Sequence, residues 1–431
     1  MPNRKYIIRP LDKGLDYAYA TLHSPVGAML YPAKNIKIDQ HSVKKRWGYG
    51  TTHRTLTSGS SVLNIIYFKQ KGATPTEHTV YLTGEDACQK KTGTDETFKY
   101  ITETYTTGTI SSITDTAVVG SGTSWGDGST NIVAGDFFIM DDDHSANKEV
   151  DANWVSVASV TDDTNLTLSS AYTKNGTTYK IRKVYTTPSN EYWSSAIVNN
   201  TLCFSNGNTN VQKWTGSGTA ADLETGAAIA TKARYLTEYA NRLIMADYGS
   251  TRDPYSIAWS KNLDPTNWTH ASAGSLQLLD SPDYITGLGK VGAYLVIFKE
   301  ESYHMAHRTG IYTEPINVPI HKKGIGAHPW SIVPFQGNVA WLGRKNFYMM
   351  SGTWAEEIGD EIKDFFFDDV TQANAEKVYG FLNLMEDEII WLATTTTYGQ
   401  LGFVWRYRNP SGSQWVTYDM NDTIKSGGRG A

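Results

Sequence analysis

The densest run of potential ligands in this 431-residue chain is "IMDDDHSANKE", where Asp141, Asp142, Asp143 and His144 stand in succession. A calcium ion takes about six to eight oxygens, and a carboxylate-rich loop can supply them. The spacing of a twelve-residue calcium loop, with its glycine and terminal glutamate, is absent here. Three adjacent carboxylates on extended chain also point in different directions, so a solvated loop tip is expected. A second kind of chemistry, glycoside hydrolysis, needs two carboxylates acting as acid and as base or nucleophile. Asp280-Ser281-Pro282-Asp283 and Glu300-Glu301 offer such groups. Glu300 and Glu301 directly follow the apolar run "YLVIF", however, and read as its solvated end. The repeated Ser-x-Asp-x-Gly-x-x-Trp boxes of sialidases are absent.

His304 and His307 lie three apart in "YHMAHR", which puts them on opposite faces of a strand and argues against a shared metal. "GLGKVG", from Gly287, has the glycines of a phosphate loop but no helix pattern after it to aim amides at a phosphate. Nucleophile elbows, P-loops, HExxH helices and paired CxxC motifs do not occur. The two cysteines, Cys88 and Cys203, are too few for a disulfide framework and are expected as buried thiols. No catalytic residue, metal ligand or cofactor is expected, and the chain reads as non-enzymatic.

What must hold these residues is a β framework. The chain carries 26 Tyr, 13 Trp and 38 Gly, is 40% hydrophobic and 19% charged, and has a formal net charge of -5. Aromatic and β-branched residues suit pleated, half-buried surfaces, and glycine supplies the turns. The acidic balance excludes a generic nucleic-acid binder but leaves room for a local basic surface. No apolar run approaches the ~20 residues of a membrane span, and "MPNRKYIIRP" has no apolar core of signal-peptide length. Helical periodicity is scarce; the best candidate is "EIKDFFFDDVTQANAEK", and even there the Phe365-Phe366-Phe367 run permits a strand or loop.

Five passages after Lys180 repeat an apolar strand, a turn at Asn, Gly or a charged pair, and a second strand. They begin with "YWSSAIV", "ARYLTEY", "ITGLGKV", "SIVPFQG" and "VYGFLNL". Four close on a tryptophan: Trp214, Trp268, Trp354 and Trp415. Their starts are 41 to 52 residues apart, the spacing of a four-stranded propeller blade. One blade cannot cover its own faces, whereas radial stacking covers them and protects the strand edges. "SVLNIIYFKQ" and "EHTVYLTG" add another blade, giving about six. Between them, residues 108–183 are rich in Thr, Ser, Asp and Gly, with short alternating segments split by turns, the pattern of a small β-sandwich. The expected fold is therefore all-β, an approximately six-bladed β-propeller with an inserted β-sandwich. Its parts are an N-terminal arm with the first strands (1–59), a first blade (60–107), the inserted module (108–183) and the remaining blades (184–431).

The arm ends in "NIKIDQHSVKKRWGYG", a strand, a turn and a second strand running into a basic, aromatic and glycine corner. It resembles the N-terminal arm of bacteriophage tail proteins, with Trp47 where such corners more usually carry proline. "AVVGSGTSW", "VAGDFFIM", "WVSVASV" and "DDTNLTLSSAY" resemble a β-sandwich module of phage virion proteins. "RLIMADYGSTRDPYSIAWSKNLDPTNW", "ITGLGKVGAYLVIFKEESYHM" and "GIGAHPWSIVPFQGNVAWLGRKNFYMMSG" resemble the propeller of short-tailed phage nozzle and packaged-DNA stabilisation proteins. The resemblance implies a structural protein of the virion tail, made and assembled in the host cytoplasm. It would form a ring, a hexamer, continuing the DNA exit channel below the portal or head–tail adaptor. Its partners would be further copies of itself, that adaptor, and fibre, needle or plug proteins, with double-stranded DNA passing through transiently and no membrane insertion.

In that setting Lys44, Lys45 and Arg46 would deter indiscriminate edge pairing. Trp47 and Tyr49 would anchor an assembly interface, and Gly48 would allow the turn between them. Lys322, Lys323, Arg344, Lys345, Arg406 and Arg408 sit near strand ends as ordinary blade-tip charges, sparse enough for DNA to slide past. Two rival readings are a glycan-binding receptor module, using aromatic loops such as "STRDPYSIAWSKNLDPTNW", and a polysaccharide-degrading tail enzyme.

Overall fold

In a computed structural model of the chain, the described residues are 14–16, 28–30, 36–39, 42–45, 62–72, 75–85, 87–91, 98–126, 132–140, 154–173, 176–189, 191–223, 232–408 and 414–420. Among them are 35 strands and two short helices. No helix among the described residues is long and apolar enough to cross a membrane.

The arm begins with β1 (Gly14–Asp16) and β2 (Ala28–Leu30), which pair in parallel. β3 (Ile36–Asp39) and β4 (Ser42–Lys45) then form the antiparallel hairpin expected of "NIKIDQHSVKK", with Ile36 opposite Lys45 and Asp39 opposite Ser42. A four-stranded antiparallel sheet follows from β5 (Val62–Gln70), β6 (Thr76–Thr83), β7 (Ala87–Lys91) and β8 (Phe98–Tyr100).

The segment expected as a sandwich is one connected seven-stranded sheet. Its strands are β9 (Thr104–Tyr105), β10 (Thr109–Thr114), β11 (Ala117–Ser121), β12 (Phe137–Met140), β13 (Val155–Val160), β14 (Asn165–Leu168) and β15 (Tyr179–Arg182), in the order β10-β11-β14-β13-β12-β15-β9. Ile110, Val118, Phe138, Val157, Leu166 and Ile181, from six of these strands, share one apolar cluster with Trp125 and Tyr179. The ladder divides at β13, where Val155 and Ser156 pair with β12 while Val157, Ser159 and Val160 pair with β14, so the strands on either side of β13 share one core.

Five four-stranded sheets follow in succession. The first is β16 (Ser194–Val198), β17 (Thr201–Ser205), β18 (Gln212–Trp214) and β19 (Ala221–Asp222). The second is β20 (Ala233–Tyr239), β21 (Arg242–Tyr248), β22 (Asp253–Trp259) and β23 (Gly274–Gln277). The third is β24 (Ile285–Val291), β25 (Tyr294–Lys299), β26 (Ser302–Arg308) and β27 (Ile316–Lys323). The fourth is β28 (Val333–Phe335), β29 (Asn338–Leu342), β30 (Phe347–Ser351) and β31 (Trp354–Glu357). After helices α1 (Lys363–Asp369) and α2 (Gln372–Ala375) comes the fifth, β32 (Tyr379–Asn383), β33 (Glu388–Thr395), β34 (Gly399–Arg406) and β35 (Trp415–Asp419). Each runs strand next to strand in chain order. This is an all-β fold with a five-blade β-propeller arrangement.

Local sequence explains the tight connections. Val198 faces Thr201 across Asn199-Asn200, and Tyr239 faces Arg242 across Ala240-Asn241. All four loop residues have positive φ, between 44° and 62°, as a two-residue hairpin of primed type requires.

The chain divides into two compact units. In residues 54–252 with 259–270, Ile66, Phe68, Val80 and Leu82 of the sheet β5–β8 meet Leu202, Phe204 and Trp214 of the sheet β16–β19 in one apolar cluster. The Trp193 indole donates to the Thr83 carbonyl at 2.6 Å, tying the same two sheets. In residues 1–53, 253–258 and 271–429, Phe298 and Met305 pack with Val339, Trp341 and Met350, and Phe347 with Phe366, Trp391 and Trp415. The Trp391 indole reaches the Ser331 carbonyl at 2.8 Å, and that of Trp415 reaches Ile358 at 2.6 Å. Each tryptophan thus fills the space between sheets and satisfies its one donor there, the condition for burying it cheaply. α1 lies where the helical candidate was read, and Phe366 from it is fully buried in the last of these clusters. In the same unit, β1 and β3 of the arm lie close to β35.

Candidate functional site

The richest polar cluster among the described residues is built on the sheet β24–β27 and the loop 278–284 that leads into it. Lys299, the last residue of β25, is fully buried. Its ammonium donates to the Leu278 carbonyl at 3.1 Å, the Ser281 carbonyl at 3.0 Å and Ser281 Oγ at 2.9 Å. It stands 3.3 Å from Asp283 Oδ1 and 5.6 Å from the centre of the Tyr255 ring. Asp283 Oδ2 accepts from the Glu301 amide at 3.1 Å and Ser302 Oγ at 2.9 Å. Burial works to raise the Asp283 pKa, but bonds from Ser281, Glu301 and Ser302 and the Lys299 charge outweigh it and bring the carboxyl down to about 2. An ionised carboxylate held in this way ties a turn together and is a poor proton donor.

One strand further on, His304 is opposite His321 in the β26–β27 ladder. Their rings stack with centroids 4.2 Å apart and planes inclined by 3°. His304 is buried, and Asp280 Oδ2 lies 3.9 Å from its Nδ1. Burial first, then the charges of His321 and Lys299, push its pKa down to about 4, so the ring is neutral at pH 7. Nε2 of both rings is buried and makes no hydrogen bond among the described residues.

Several residues singled out from the sequence thus meet here: Asp280, Asp283, Glu300, Glu301 and His304. Glu300 accepts from the Tyr284 amide at 3.2 Å and faces Arg344 at 3.9 Å. His307 does not join them, since it is opposite Asn317 and beside the Tyr294 ring. Sequence reasoning missed Lys299 and His321. Lys299 ends an apolar run and looks like a strand-end charge, while His321 becomes a partner of His304 only through a ladder that shifts register between Met305 and His307.

"GLGKVG" runs through β24 and cradles no phosphate loop. Lys322 lies 5.1 Å from the Trp354 ring, Arg406 3.9 Å from Glu388 and Arg408 3.5 Å from Asp387. Trp214, Trp268 and Trp415 are buried. Trp354 differs from them: it is 70% exposed on the edge strand β31, so it fills no space between sheets. Trp259 and Trp268 of the proposed sugar-stacking loop are buried as well, and so cannot display their faces to a ligand. Cys203 is fully buried, and burial pushes its thiol up to about 12. Lys44 and Lys45 end β4, whereas Arg46, Trp47, Gly48, Tyr49 and the Asp141–His144 run lie outside the described residues.

A second feature is a cavity of ≈ 280 Å³ lined by Tyr100, Thr104, Thr106, Trp154, Lys180 and Arg182, with Gly218 and Thr219. Arg182 is buried there, its guanidinium carbon 3.9 Å from the Tyr100 ring centre and 5.0 Å from that of Trp154.

No protein-family model and no curated protein matches this chain. Among solved structures, a chain of the Mitotic Checkpoint Complex is similar at 15% identity and TM-score 0.36, over 57% of this chain and 74% of that one. The phage phi92 endosialidase is similar at 12% identity and TM-score 0.26, over 89% of this chain and 61% of that one. Kluyveromyces lactis Hsv2 is similar at 9% identity and TM-score 0.33, over 85% of this chain and the whole of that one.

Proposed function

We propose that this chain is a non-enzymatic structural protein of a bacteriophage tail, a nozzle-like ring component that continues the DNA passage below the portal or adaptor and carries distal tail parts. The observation that carries the reading is the order of parts along the chain. A paired arm hairpin comes first, then a four-stranded sheet, a self-contained seven-stranded module and five successive sheets. On this reading β5–β8 is a sixth blade, supported by the core it shares with β16–β19, and the seven-stranded sheet is an insertion with its own core. Rigid blades suit a mechanical role, and heterologous contacts repeated around an axis close into a ring. Charges tied to carboxylates, as at Arg344, Arg406 and Arg408, suit a wall past which DNA slides. The arm, through Lys44, Lys45, Arg46, Trp47 and Tyr49, would supply the contact to a neighbouring copy or the adaptor.

Imaging of purified tails with an antibody to this chain tests the proposal. Label at the head-proximal tail and sixfold rings of the protein are expected. Absence of the protein from purified particles, or label confined to fibre tips, overturns it. A second reading, recognition of a host glycan, is favoured by the cavity at Arg182, which combines aromatic rings, threonine hydroxyls and two cations. A glycan array probed with the full chain decides for that reading if binding appears and is lost in Trp154→Ala.

A further inference from the structure

We propose that Asp280, His304 and His321 form a binding site for a divalent transition-metal ion of the zinc type. One ligand atom from each lies within 4.8 Å of the others. The three come from two adjacent strands and the loop 278–284, so the fold rather than chance proximity in sequence brings them together. Two imidazoles and a carboxylate are a donor set that zinc and its neighbours favour, with positions left over for water or a partner's group.

The geometry also states what must move. Zinc sits about 2.0–2.2 Å from nitrogen and oxygen donors, so tetrahedral donors are roughly 3.3 Å apart. Closing the present spacing takes a shift of roughly 1.5 Å. A metal must also lie near the plane of each imidazole, which two parallel stacked rings do not allow, so one ring has to turn. Asp280 is two-thirds exposed and His321 only partly buried, and both have room to adjust around the fixed His304. Turning His321 also costs no hydrogen bond at Nε2, because neither Nε2 makes one among the described residues. The nearby Lys299 ammonium, a cation that would repel the ion, is matched by Asp283 at 3.3 Å.

The site does not depend on the tail reading and is tested separately. The full chain is stripped with a chelator, dialysed, and titrated with Zn²⁺ by calorimetry and with Co²⁺ by visible absorption. One equivalent of each is expected, with the intense d–d bands of a four- or five-coordinate cobalt site. Asp280→Asn and His321→Gln should each weaken binding by at least about tenfold, the lower end of what even outer-shell changes do. His307→Gln should leave it unchanged. Asp280 is exposed, so Asp280→Asn retains the fold and decides the matter if His321→Gln does not. Failure of the full chain to take up a stoichiometric ion overturns the proposal, as does uptake that Asp280→Asn leaves intact.

Discussion

Lys299 and Arg182 are both buried cations, one at the end of β25 and the other at the end of β15, and their surroundings differ in kind. Lys299 is enclosed by oxygen: two carbonyls, a serine hydroxyl and the Asp283 carboxylate. Arg182 is enclosed by rings, with Tyr100, Phe137 and Trp154 at 3.9, 4.9 and 5.0 Å from its guanidinium carbon. The difference follows from the two head groups. An ammonium is compact and strongly hydrated, and needs directed acceptors when it leaves water. A guanidinium is planar, weakly hydrated and content against aromatic faces. The first arrangement is brittle to the loss of a single partner, and the second spreads its stabilisation over several.

The largest effect should come from breaking the brittle one. Asp283→Asn strands the Lys299 charge in the interior and should cost about 3–5 kcal/mol in denaturant unfolding. Lys299→Met should cost less, because Asp283 keeps the Glu301 amide and Ser302 hydroxyl. The double variant should recover part of the loss. A cost below about 1 kcal/mol for Asp283→Asn would mean that water reaches Lys299.

A buried base that avoids charge altogether sharpens the contrast. His328 is buried, and burial first, then the Arg344 charge, push it down to about 4. Below its ordinary pKa near 6.5 the unfolded chain takes up a proton that the folded ring refuses. Its contribution is therefore complete above pH 6.5 and is lost as pH falls toward 4, up to about 3 kcal/mol. Unfolding midpoints measured from pH 7.5 to 4.5 should fall, and His328→Gln should flatten part of that slope. An unchanged slope in the variant would assign the acid sensitivity to other groups.

The contrast also marks what sequence alone could reveal. Strands were legible where alternation and turn chemistry agreed. "SVLNIIYFKQ" and "EHTVYLTG" are β5 and β6, and "NIKIDQHSVKK" is the hairpin β3–β4. α1 was legible from its lone helical pattern. The carboxylates of "DSPD" and the histidine of "YHMAHR" were visible as candidates, but their roles were not. Those roles depend on Lys299 and His321, which reach them through loop closure and a bulged ladder. The junction at β13, which joins all seven strands of residues 104–182, was equally hidden, because two separate sheets and two sheets linked by a shared strand have the same alternation.

At the aromatic site the expected effect is smaller. Trp154→Leu keeps an apolar group beside Arg182 but removes one of three ring faces, and should cost about 1–2 kcal/mol. Raising salt should leave that cost nearly unchanged, since the contact is shielded from solvent ions. A cost equal to that of Asp283→Asn would show that Arg182 leans on one ring as heavily as Lys299 leans on one carboxylate.

The smallest effect separates tryptophans that look alike in the sequence. Trp354 and Trp415 both close a repeated strand pattern, yet Trp415 is buried among Phe347 and Trp391 and donates to Ile358, while Trp354 is 70% exposed with Lys322 over its ring. Trp415→Ala empties a core site, a change that costs ~3–5 kcal/mol. Trp354→Ser removes an exposed cation–π contact and should shift stability by less than about 1 kcal/mol. Thermal and denaturant midpoints of the two variants, measured side by side, test this. If Trp354→Ser destabilised the monomeric chain as much as Trp415→Ala, the exposed indole would have to be part of the blade packing after all. A normal midpoint would instead assign the exposed indole no part in blade packing.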